Sequence, residues 1–293
     1  MAGYTDFAFR KVLRKCGAEV VWTEMISATA LYHGSKKTEK MLEHEGKTVV
    51  QIFGHNPAHF EAVIKSGVLD KFHEININMG CPARKITSNG DGVALMKNPE
   101  LARQIIETCV RVSKRQVSVK MRLGFSPDID GIQGCSEKES GVLSYAVQFA
   151  LMCQTAGASR VIVHGRYGTQ GYSGVADWNA IAEVVKALKI PVIANGDVRD
   201  ATHAAECIKQ TNAAGVMIGR AIIGAAWKIR QKMASEKEIK SIIKYHLKHA
   251  DNIIEMRKHL VAYADHLPNG KELKKRLAIV DSFEEASRIL QLG

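Results

Sequence analysis

The chain has 293 residues, 46% hydrophobic and 24% charged, with 24 Gly and 6 Pro. This is ordinary globular composition and excludes a disordered or collagen-like chain; no apolar run reaches the ~18 residues of a membrane span. The net charge of +11 leaves two readings open, a basic soluble enzyme or a protein with a polyanionic partner such as RNA.

Met1 leads directly into "AGYTDFAFRK", without the pattern of a signal peptide. A helix is expected over about residues 7–16, capped by Asp6 and ended by Gly17. β-Rich runs then alternate with helical patterns. The expected strands are 18–25, 47–54, 73–80, 116–124, 159–165, 190–196 and 213–220. Several are almost continuously apolar, as in a sheet buried on both faces. Asn56-Pro57 and Asn98-Pro99 each place a capping side chain before a proline at the first helical position. The alternation implies a parallel α/β sheet, either a (β/α)8 TIM barrel or an open doubly wound sheet. No strand precedes the first helix, so a barrel would stand without its opening strand. GxGxxG and GxxxxGK[ST] are both absent, which weakens the nucleotide-binding open sheet. After Trp227 the period becomes helical, with Ile239, Ile242, Ile243, Leu247, Ile253, Ile254 and Leu260 in register. The expected division is a barrel over 1–228 and a small all-α domain over 229–293. Lys240, Lys244 and Lys248 lie one turn apart there, and His246, His249, His259 and His266 are expected at its surface.

Six cysteines stand at 16, 81, 109, 135, 153 and 207, with no CxxC pair. No metal site is expected from them, and reduced thiols in a cytoplasmic protein are. Polar or glycine-bearing motifs recur at strand ends: Gln51 with Gly54, Asn78 to Cys81, Lys120 with Arg122, His164 to Arg166, Asn195 to Asp197, and Gly219-Arg220. In a parallel barrel these ends share one face, where active sites are built. One such residue could be a core ion pair or a satisfied histidine; six together favour a shared polar cavity. Asn195-Gly196-Asp197 and Gly219-Arg220 fall where barrels often bind phosphate, if a strand is counted before the first. Cys81, between Gly80 and Pro82, could act as a general acid without activation; as a nucleophile it would need a base that the sequence does not identify. The other five cysteines are expected to be buried and inert.

These motifs resemble those of the tRNA-dihydrouridine synthases, most closely the bacterial B-type branch. The carrying stretches are "MAGYTD" (1–6), "TEM" (23–25), "VQIFG" (50–54), "INMGCPARK" (77–85), "NGDGVALMKNP" (89–99), "VKMRLG" (119–124), "VHGRYGTQGYSGVADW" (163–178), "IPVIANGD" (190–197) and "VMIGRAIIG" (216–224). The tail stretch "MRKHLVAYADHLPNG" (256–270) is similar to the family's helical RNA-binding domain. The resemblance implies an FMN-containing (β/α)8 barrel in which NADPH reduces the flavin. Hydride then passes to C6 of a uracil in tRNA, and a cysteine protonates C5. It implies that Cys81 is that proton donor. Met1 and Ala2 would touch the flavin, Gln51 and Lys120 its ring system, and His164 the cofactor face. Asn195, Gly196, Asp197, Gly219 and Arg220 would hold the phosphate. Asn78 and Arg122 would seat the uracil, and Lys85 would contact RNA. A cationic Lys120 or His164 would stabilise enolate-like charge on the ring. Family members carry a strand ending in proline just before "MAG"; this sequence begins at Met1. The stretch 125–141 is longer than the family pattern and reads as a lid, an RNA contact or an insertion. Two alternatives stay open: a flavoenzyme acting on a free pyrimidine, and a catalytically inactive tRNA-binding protein.

Overall fold

A computed structural model describes residues 1–127, 143–230 and 233–292. Among the described residues, seven strands form one parallel sheet in sequence order: β1 (Val21–Ser27), β2 (Thr48–Phe53), β3 (Glu74–Met79), β4 (Gln116–Arg122), β5 (Val161–His164), β6 (Val192–Asn195) and β7 (Gly215–Met217). β2 and β3 are buried almost along their whole lengths, which accounts for their apolar runs. The sheet curls as in a TIM barrel, with β1 and β7 at its two ends. The first residues lie between those ends. The Gly3 amide donates to the Glu24 carboxylate on β1, and Met1 Sδ lies 3.9 Å from where a Cβ on Gly219, after β7, would stand.

The helices covering the sheet include α1 (Phe7–Lys15), α2 (Ala28–Tyr32), α3 (Lys36–Lys40), α4 (Pro57–Lys65), α5 (Arg84–Thr87), α6 (Pro99–Val112), α7 (Tyr145–Thr155), α8 (Trp178–Ala187) and α9 (Ala201–Thr211). The capping expectations hold. Asp6 accepts from the Phe9 amide at 2.7 Å, Asn56 from Ala58 at 3.0 Å and Asn98 from Leu101 at 3.1 Å. Observed strands are shorter than expected. β1 starts at Val21 because Gly17, at φ +100°, closes α1 and the chain needs three more residues to turn. The tail is helical: α10 (Glu236–His249), α11 (Ile253–Ala264), α12 (Gly270–Leu277) and α13 (Phe283–Ile289).

Two hydrophobic cores result among the described residues. The larger lies between the sheet and α4, α6, α7 and α8. The second joins Phe9, Val12 and Leu13 of α1 to Ile242, Ile243, Leu260 and Tyr263 of the tail. The tail histidines differ from the expectation. His246 and His259 are fully buried in this second core, while His249 and His266 are half-buried. Neutral imidazole is flat and largely apolar, so it packs as an aromatic. Phe9 stands 5.6 Å from the His246 ring and 4.7 Å from the His259 ring. Burial holds His259 down to about 3 and His246 well below its ordinary value, so neither carries charge near neutrality. Cys16, Cys109, Cys153 and Cys207 are buried thiols as expected, and burial raises each of them. Cys135 and most of 125–141 lie outside the described residues. Among the described residues, no helix is long and apolar enough to cross a membrane.

Candidate active site

The strand register assembles the site. Gln51, Asn76 and Ser118 pair across β2, β3 and β4; Asn78 pairs with Lys120 two residues further on. Arg122, His164, Asn195 and Met217 form the last row, at the C-terminal ends of β4 to β7. A cleft of about 2170 Å³ opens above these rows and along the side between β7 and β1. Every residue to which the resemblance gives a role lines it except Lys85, which is exposed on α5 outside the rim.

Cys81 is half-exposed at this rim, and its backbone is pinned at both ends. Its amide donates to Asn78 Oδ1 at 2.9 Å, and its carbonyl accepts from the Val93 amide at 3.0 Å. Gly92 lies against it at φ +61°; a Cβ there would stand 2.6 Å from the Cys81 carbonyl oxygen, so a side chain would displace the cysteine turn. Arg122 Nε donates to the Gly80 carbonyl at 2.9 Å, while its Nη1 reaches the carbonyls of Tyr167 and Gly171. The guanidinium thereby ties the cysteine turn to the loop after β5.

Beneath Cys81 runs a buried polar chain. Asn78 Nδ2 donates to Gln51 Oε1 at 2.8 Å, Gln51 Nε2 to Asn76 Oδ1 at 2.7 Å, and Asn76 Nδ2 to Ser118 Oγ at 2.7 Å. Ser118 donates to the Glu74 carboxylate, which also pairs with Arg160 at 2.6 Å. Every donor points toward that carboxylate, so the anion orients each amide above it.

The cleft is electropositive. Lys120 makes no hydrogen bond or ion pair among the described residues. Burial lowers its ammonium to about 8, with the Arg122 charge adding to the effect and the nearby Cys81 opposing it. His164 is held down to about 2, chiefly by burial and then by Lys120, Arg122, Arg166 and Arg220. It is therefore neutral, and of the two cations expected beside the substrate only Lys120 remains. Burial alone would raise the Asp197 carboxyl, yet it lies below its ordinary value. The Arg166 hydrogen bonds, the Ala176 amide and the charges of Arg166 and Arg220 outweigh burial. Arg220 approaches Asp197 at 3.3 Å and lies 4.1 Å over the Tyr172 ring. Asn195 Nδ2 donates to the Met217 carbonyl at 2.8 Å and so joins β6 to β7 at the cleft floor. Gly196 cannot carry a side chain, because a Cβ would stand 2.6 Å from that of Ala176 and 2.9 Å from His164 Cδ2.

Sequence reasoning counted Arg166 among the polar strand ends but gave it no role, and it did not single out Tyr172. Arg166 is 2% exposed, and a buried arginine invites a partner search that only the fold can answer. Tyr172 is 57% exposed at the cleft mouth, with its ring also 5.9 Å from Arg122. Its signal was an aromatic among glycines in "YGTQGYSG".

A dihydrouridine synthase (Dus) family model matches residues 1–291. A relative from Rhodobacter capsulatus bearing the name tRNA-dihydrouridine synthase is 38% identical over 240 residues, covering 80% of this chain and 69% of its own. Another from Synechocystis, named tRNA-dihydrouridine synthase 1, is 31% identical over 99% of this chain and 83% of its own. Among solved structures, a soluble mutant of the (S)-mandelate dehydrogenase from Pseudomonas putida aligns with 82% of this chain and 67% of its own. Its TM-score is 0.49 at 14% identity, too loose a likeness to bear on function. With the match running from the first residues through the tail, the chain belongs to the dihydrouridine synthase family.

Proposed function

We propose that this chain is a tRNA-dihydrouridine synthase that reduces the C5–C6 bond of uracil in tRNA, using FMN that NADPH reduces. The observation that carries the reading is the pairing of a half-exposed Cys81 thiol with the unpartnered Lys120 ammonium in one cleft. The donor set fits FMN. Arg220 presents cationic donors beside Gly219, where a Cβ would meet only Met1 Sδ within 4 Å, so an anion can approach that backbone closely. Asp197 is already neutralised by Arg166 and Arg220, so its part is to aim Arg220 rather than to meet a phosphate. Met1, Ala2, Gln51, Lys120, His164, Asn195, Gly196 and Gly219 line the remainder of the cofactor position.

The bound cofactor supplies a hydride to C6. The residues of the chain do the rest. Cys81 Sγ gives its proton to C5, and its turn is held by Asn78, Val93 and Arg122. Lys120 opposes the negative charge that develops toward O4 of the ring. Neutral His164 accepts from Arg166 Nη1 at 3.4 Å and contributes an uncharged edge to the cofactor position. Tyr172 offers a face on which a base can stack, and a flipped base costs a few kcal/mol to extract. Residues 229–293 act as the tRNA-binding part beside the catalytic part over 1–228. Lys85, outside the cleft, would meet the RNA backbone, and the net charge of +11 helps offset base extraction. The proposed location is the cytoplasm.

The test compares turnover on unmodified tRNA with turnover on free uridine, alongside a flavin absorption spectrum. The expected result is a yellow protein that reduces tRNA and leaves uridine untouched. Equal rates would point to a free-pyrimidine enzyme, and a colourless protein that binds tRNA to an inactive one. Mass-spectrometric mapping in cells lacking and regaining the protein would then identify the uridine.

A further inference from the structure

The second core contains three potential ligands that the cleft chemistry does not use. Asp6 caps α1, His246 lies on α10 and His259 on α11. One donor atom from each lies within 4.8 Å of the other two, and Asp6 Oδ2 is 4.0 Å from His259 Nε2. Both histidines are fully buried. Among the described residues, His246 Nε2 has no hydrogen-bond partner, and the ring nitrogens of His259 have none within ordinary hydrogen-bond geometry, only the nearby backbone of Tyr4. Natural cores rarely leave such atoms poorly satisfied, so their gathering in one place calls for an explanation.

The surroundings sort the donors. Tyr263 Oη lies 3.0 Å from His246 Nδ1. In the tautomer whose Nδ1–H donates to Tyr263 Oη, Nε2 presents its lone pair to the cluster, as an outer partner arranges for a metal-bound histidine. Phe9 flanks both imidazoles, and the Tyr4 ring meets His259 edge-on at 5.6 Å. The apolar side is thereby closed. Asp6 keeps 34% of its side-chain exposure, which leaves an entry from solvent on the carboxylate side.

We propose that Asp6, His246 and His259 form a binding site for a divalent transition metal of the zinc type, which fastens the start of α1 to α10 and α11. Two imidazole nitrogens and one carboxylate suit a borderline cation, with the fourth position open to water at the exposed side. Tetrahedral zinc with bonds near 2.0–2.1 Å sets its donors about 3.3 Å apart, so the triad closes by about an ångström of side-chain movement.

The experiment titrates the chelator-treated full chain with Zn²⁺ and with Co²⁺, following thermal midpoint and visible Co²⁺ absorption. The expected result is one equivalent bound, a raised midpoint and a tetrahedral Co²⁺ band. Asp6→Asn keeps the helix cap, because Asn caps as well as Asp. It should weaken metal binding at least tenfold while leaving the metal-free midpoint unchanged. His259→Gln should abolish binding; if it fails to fold, Asp6→Asn decides alone. Failure to bind one equivalent, or a Co²⁺ affinity and spectrum unchanged by Asp6→Asn, overturns the proposal.

Discussion

Asn78 Oδ1 accepts the amide of Cys81 at 2.9 Å and that of Gly80 at 3.1 Å, while Asn78 Nδ2 donates to Gln51. One side chain thus links the thiol-bearing turn to the polar interior. Asn78→Ala removes all three bonds, each worth roughly 0.5–1.5 kcal/mol. The loss loosens the turn, so single-turnover reduction of tRNA should fall about 10- to 100-fold, at about 1.4 kcal/mol per decade. Flavin content should remain. A variant with the wild-type reduction rate would remove Asn78 from the role of holding Cys81.

Cys81→Ala tests the proton donor. Its side chain is half-exposed and packs into neither core, so the fold should tolerate the change. Flavin and tRNA binding are expected to persist, and tRNA reduction should drop about 10²- to 10⁴-fold, the span of a general acid. Unchanged single-turnover reduction would assign the proton to another group.

The Glu74 carboxylate is 2% exposed and lies five links from the Cys81 amide. Glu74→Gln leaves Arg160 without its anion and allows the amides above to reverse. A loss of about 3 kcal/mol in urea denaturation is expected, the low end for a broken buried pair because Arg160 is partly exposed. If Ser118 passes the orientation upward, Ser118→Ala and Glu74→Gln will be non-additive by about 1 kcal/mol or more. Additivity within about 0.5 kcal/mol would show that the chain of bonds acts as separate pairs.

The parallel sheet was legible because β2 and β3 are buried on both faces, and their apolar runs record it. The rim was legible because each of its residues ends a strand, where side-chain placement follows from register alone. The buried tail histidines were not. A 3.6-residue period marks Ile242, Ile243 and Leu247 as core, but a histidine between them is polar by type and reads as surface. The aromatic packing that accepts them is assembled largely by the fold: Phe9, more than 200 residues away in sequence, stands against both His246 and His259, and Tyr4 against His259. The role of Arg166 and the presence of Tyr172 were hidden for the same reason, since their partners Asp197 and Arg220 come from the turns after later strands.

On the proposed mechanism, Lys120 sets the pH dependence. Its ammonium is held down to about 8 by burial, so it is mainly charged at pH 7 and mainly neutral by pH 9. Charge at this position opposes the anion forming on the ring, and its loss removes that stabilisation. His164, held down to about 2, contributes no step near 6.5. The reduction rate at saturating tRNA should therefore be level from about pH 6 to 7.5 and fall through a midpoint near 8. Lys120→Arg keeps the charge across this range, and although its longer fork will lower the plateau, the descending limb should disappear. Lys120→Gln should give a low rate with no limb at all. A midpoint near 8 that persists in Lys120→Arg would assign the titration to a different group.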